Sequence, residues 1–120
     1  MKLQMLLVVI DPTKQAQPAL ERAAWLARRC GAAIELLACE YHATLEGSSL
    51  FKPGSREKAR EHLLEQRKEW LETLAAPLIA EGLQVQTAVR WGKPLHEIIL
   101  ARAAELQPDV LLKAASDHGV

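Results

Sequence analysis

The chain has 120 residues, enough for one domain and too few for two. Lys plus Arg and Asp plus Glu number 15 each, and this zero formal charge disfavours both a nucleic-acid binder working through a basic face and an acidic disordered tail. Hydrophobic residues are 49% and charged residues 25%, ordinary for a soluble globular domain, and no apolar run approaches the ~18 residues a membrane span needs.

The first apolar run, Leu6-Leu7-Val8-Val9-Ile10, is unbroken and rich in β-branched residues, as suits a strand covered on both faces. It follows Met1-Lys2-Leu3 too closely, and lacks the cleavage site, to be a signal peptide. Asp11-Pro12 stops it. Thr13 to Gly31 has helical spacing, with Leu20, Ala23, Ala24, Ala27 and Cys30 on one face and Gly31 as the terminating residue. Pro18 fits only its first turn. Trp25 lies off the apolar stripe, at the surface or an interface. Ile34 to Cys39 reads as the second strand, and Tyr41 to Gly54 as a loop.

A long charged helix follows from Ser55 to just before Gly82. Its expected buried face is Leu63, Trp70, Leu71, Leu74 and Leu78, and Pro77 should kink or weaken its last turns. Leu83 to Val89 alternates apolar with polar, as a half-exposed strand at a sheet edge does. Trp91-Gly92-Lys93-Pro94 turns the chain into a third helix with Leu95, Ile98, Ile99, Ala103 and Leu106 as its core side. Arg102 falls inside that stripe and is expected to snorkel to its edge. After Gln107-Pro108 the segment Asp109 to Leu112 begins a fourth strand.

The order β-α-β-α-β-α-β demands right-handed parallel crossovers, hence an open α/β sheet with helices on both faces. Ligands of such sheets bind beyond the carboxyl ends of the strands. The candidate site is therefore Asp11 and Pro12 through Thr13, Cys39 to Tyr41, Arg90 through Gly92 and Lys93, and Lys113 onward.

Leu6 to Asp11, Ala19-Leu20, Gly31 and Ile34 to Leu37, with Val89 to Ile99, Ala103 and Pro108 to Leu112, together resemble a universal stress protein domain over the whole chain. Val9 to Pro12, Gln17 to Leu20 and Val110 to Lys113 are most similar to the amino-terminal half of a tandem member. The resemblance implies a Rossmann-like sheet of order 3-2-1-4-5, of which the last helix and strand find no room in residues 1–120, so the domain reads as truncated at its carboxyl end. It implies a pocket in which ATP lies near Asp11 and adenine meets backbone near Cys39, and it implies pairing with a second such domain or another copy as a dimer. It also places Ala114 and Asp117 where the phosphate loop of nucleotide-binding members has glycines. Small residues let backbone N–H groups approach phosphate. A carboxylate there opposes polyphosphate by about 4 kcal/mol at 4 Å and intermediate dielectric.

Other constellations are weaker. Cys39, His42 and His62 match no zinc spacing, and Cys30 and Cys39 read as core thiols of a reducing cytoplasm. His96-Glu97 reads as a first-turn surface pair rather than an acid–base pair. Ser116-Asp117-His118 is a polar loop, because three sequential neighbours rarely adopt triad geometry. Trp91 reads as packing, with stacking on a ligand base or filling a domain interface as alternatives. The expectation is a non-enzymatic, cytoplasmic stress-response module with a degenerate ATP loop, no firm cofactor, and neither nucleic acid nor membrane as partner. The alternative is an adenine-nucleotide sensor using Asp11, Lys93 and Lys113.

Overall fold

The unbroken apolar run at the start of the chain becomes β1, Met5–Val9, a strand with a hydrogen-bonded neighbour on each side. The computed structural model describes residues 2–47 and 54–114. Within them β1 is followed by α1 (Pro18–Cys30), β2 (Ala33–Glu40), α2 (Ala43–Gly47), α3 (Ser55–Ala80), β3 (Val85–Trp91), α4 (Leu95–Leu106) and β4 (Val110–Lys113). All pairings are parallel and the order is β3-β2-β1-β4, as the alternating pattern requires.

Strand alternation sorts the core into two layers. Leu6, Val8, Ile10, Ile34, Leu36 and Ala38 face α1 and α3, where they meet Ala23, Ala27, Leu71 and Ala75. Leu7, Val9, Leu37 and Ala88 face the other way, onto Ile99 of α4. Two helices thus cover one face of the sheet and one covers the other.

Several expectations shift in detail. Helix α1 begins at Pro18 and not Thr13, because Thr13 to Gln17 is spent on a loop closed by side-chain hydrogen bonds. Its end falls as expected at Gly31, in the left-handed region at φ 76°, whose N–H donates to Ala27 O at 2.8 Å. The expected loop from Tyr41 holds the short helix α2. Helix α3 runs through Pro77 to Ala80, and Ala75 joins its buried face. In α4, Leu95 is 46% exposed and not core: the sheet contact centres on Ile99, Ala103 and Leu106.

Arg102 departs furthest from expectation. It does not snorkel to water. Its Nε and Nη2 donate to the two carboxylate oxygens of Glu35 on β2, at 2.7 and 2.5 Å. Glu35 is 1% exposed and also accepts from Gln86 Nε2 at 2.7 Å. Burial pushes the Glu35 carboxyl up, but the bonds from Arg102 and Gln86 outweigh it and hold the group below its ordinary range.

Candidate functional site

At the end of β1 the chain must leave the sheet at once. Ile10 N–H still donates to Leu37 O at 2.8 Å, and Asp11 then turns away. Asp11 Oδ1 accepts from Thr13 N–H at 2.9 Å and from Thr13 Oγ1 at 2.6 Å, closing an Asx turn. Asp11 is therefore neither buried nor a helix cap. Buried Gln17 fixes the loop from behind: Asp11 N–H donates to its Oε1 at 3.1 Å, and its Nε2 donates to the carbonyls of Asp11 and Lys14 at 2.7 and 2.8 Å. The hydroxyl and N–H of Thr13, with Lys14 and Lys113 nearby, keep the Asp11 carboxyl below the ordinary carboxylate range. Lys113, opposite Val9 in the β1–β4 register, and Ala114 complete this half of the carboxyl edge. Asp117 and the Ser116-Asp117-His118 segment lie outside the described residues.

The other half stands over the ends of β2 and β3, and aromatic and charged side chains build it. His42 stacks on Trp91 with ring centres 5.6 Å apart, and Tyr41 leans on the same indole at 6.1 Å. Trp91 Nε1–H donates to Glu46 Oε1 at 2.9 Å, and Arg60 pairs with that same oxygen while its guanidinium lies 5.4 Å from the indole centre. Glu40 accepts from Arg67 and faces His42 Nε2 at 3.1 Å. Lys93 Nζ sits 4.9 Å from the Tyr41 ring centre. Trp91 thus packs against the chain's own loop, as the simpler sequence reading has it.

Gly92 earns its place twice. Its φ of 147° is open to few side chains, and a Cβ there would stand 2.8 Å from Ile98 Cδ1. Its N–H donates to Glu40 O at 3.0 Å, which draws the turn onto β2. Cys39 is half-buried beside this turn, and burial pushes its thiol up to about 11. Cys30 and Cys39 are both free thiols.

The structure thus gathers Asp11, Pro12, Lys113 and Ala114 at the ends of β1 and β4, and Cys39, Gly92 and Lys93 at the ends of β2 and β3. His96 and Glu97 are exposed at the start of α4, and His62 is exposed on α3. Among the described residues no three His, Cys, Asp or Glu side chains converge as metal ligands, and no helix is long and apolar enough to cross a membrane. Sequence reasoning missed Gln17, Glu35, Arg60 and Arg67. One signal for Glu35 was available: an acid inside an apolar strand and a base inside an apolar helix stripe, at Arg102, invite pairing.

Comparison with known proteins follows the same outline. A model of the universal stress protein family matches residues 3–119. Universal stress protein E of Salmonella typhi is 32% identical over 115 residues, 96% of this chain and 36% of that protein. The chain thus spans about a third of the length of the curated relatives it matches. A universal stress protein family structure from Burkholderia pseudomallei superposes with a TM-score of 0.75 at 16% identity, covering 94% of this chain and 82% of the other. A universal stress protein solved in complex with cAMP superposes with a TM-score of 0.60 at 16% identity, over 92% of this chain and 71% of that one.

Proposed function

Because the chain belongs to the universal stress protein family, we propose that it is a non-catalytic stress-response module that acts by binding, with a carboxyl-edge pocket unsuited to a nucleotide triphosphate. The observation that carries this reading is how the edge spends its carboxylates. Asp11 is taken up by Thr13, Glu40 by Arg67 and His42, and Glu46 by Arg60 and Trp91. Each of these contacts ties one of the chain's own loops or helices to the edge, a structural use of the carboxylate. In sequence, the resemblance sets Ala114 and Asp117 at the positions of the glycines of nucleotide-binding members. Working in the cytoplasm, the module pairs with a second domain of its kind or with another copy of itself.

Thermal denaturation and calorimetric titration with ATP, AMP and cAMP test this. The expected result is no shift in Tm at millimolar ATP and no release of phosphate. Micromolar ATP binding that Asp11→Asn abolishes would overturn it in favour of an adenine-nucleotide sensor. That second reading has one observation of its own. Asp11 engages Thr13 through Oδ1 alone, at an exposed strand end, and a relative of this fold holds cAMP. Lys93 and Lys113 would then serve the phosphate in place of the glycine loop.

A further inference from the structure

Strand β3 ends the sheet, and its outer side carries a groove with a repeat of its own. Ile34 N–H donates to Gln84 O, and Gly92 N–H donates to Glu40 O. In a parallel ladder both backbone groups of one residue point the same way, and the next residue's point the other way. Even-numbered residues of β3 therefore bond β2, and the N–H and C=O of Val85, Thr87 and Val89 point outward. The Val89 carbonyl accepts from its neighbour Arg90 at 3.1 Å, which agrees with that direction. Among the described residues no strand lies beyond them.

The side chains of the same three residues line two successive hollows between β3 and α3. One, of about 500 Å³, lies among Val85, Thr87, Glu72, Ala76 and Ile79, the last 52% exposed. The next, of about 310 Å³, lies among Thr87, Val89, Leu64, Glu61, Glu65 and Lys68. The hollows share Thr87, so they follow one another along the β3 edge. Three carboxylates against one ammonium give the seam a negative sign, over an apolar floor.

We propose that this seam binds an extended peptide segment of alternating apolar and basic side chains, which adds to the sheet as a strand beside β3. The outward backbone groups of Val85 and Thr87 and the N–H of Val89 supply the pairing, the Val89 carbonyl being held by Arg90. The two hollows take apolar side chains of the segment, and Glu61, Glu65 and Glu72 meet the basic ones. This surface is independent of the carboxyl edge and of nucleotide binding there.

The test uses the full chain and a fluorescein-labelled eight-residue peptide alternating lysine and valine, read by anisotropy. Saturable binding below millimolar concentration is expected. It should weaken at least tenfold when alternate peptide nitrogens are methylated, since such a peptide cannot pair with an edge. It should weaken similarly in Ile79→Lys and in Glu65→Lys/Glu72→Lys, surface changes whose fold is checked by circular dichroism. Absence of saturation, equal binding of the methylated peptide, or equal binding by the variants overturns the proposal. So does sedimentation showing self-association of the unmodified chain that Ile79→Lys abolishes, for the edge would then belong to a second copy.

Discussion

Single residues decide more here than their number suggests. The Glu35–Arg102 pair joins β2 to α4 beneath a largely apolar layer, with Gln86 and Glu105 as its polar neighbours, and breaking it leaves a charge in poor surroundings. Glu35→Gln should lower the unfolding free energy by about 3 kcal/mol in urea titrations, whereas Glu35→Leu/Arg102→Leu should recover most of that loss. The pH dependence has a definite sign. A carboxyl whose pKa is lowered on folding contributes stability that is complete above its unfolded value, about 4.3, and is lost as pH falls through the lower folded value. The gap between the wild-type chain and Glu35→Gln should therefore close as urea titrations move from pH 7 down into that acid range. Cys39 offers a second readout. With its thiol pushed up to about 11, roughly one molecule in a thousand is thiolate at pH 8. Labelling by a disulfide reagent at that pH should be at least tenfold slower at Cys39 than for a model thiol, by timed mass spectrometry.

At the scale of elements, local sequence speaks clearly where local physics decides. Gly31 ends α1 because only a residue without Cβ enters the left-handed region freely, so Gly31→Ala should cost about 1 kcal/mol in thermal or urea unfolding and Gly31→Asn less. The strands β1 and β2 were legible as apolar runs, and β3 as an edge from its alternation, because a strand's surroundings are written into every second residue. Helix α2 was not legible, since five residues carry too little periodicity to separate a helical turn from a loop. The start of α1 was misplaced because Thr13 to Gln17 are compatible with a helix, and only the bonds Gln17 makes to Asp11 and Lys14 favour a loop. The strand ends located the candidate site. Whether Arg102 reaches water or a carboxylate 67 residues away was beyond any local pattern.

The molecule as a whole is held by joins between distant parts of the chain. Asp109 Oδ2 accepts from the N–H groups of Gln4 and Met5 at 2.8 and 2.9 Å, and its own N–H donates to Met5 O at 2.9 Å. The hydrogen bonds from the Gln4 and Met5 N–H groups hold the Asp109 carboxyl below its ordinary range. Hydrogen exchange at Gln4 and Met5 should be slow in the wild-type chain and clearly faster in Asp109→Ala, with little change in the amides of α3. The same join sets a timetable for synthesis. Strand β1 leaves the ribosome first and finds β2 within a few tens of residues, but its other edge must wait for a partner about 105 residues later. At ordinary elongation rates that interval is about 5–20 s. Throughout it the most apolar strand of the nascent chain has one open side, an opportunity for chaperones and a hazard on crowded polysomes.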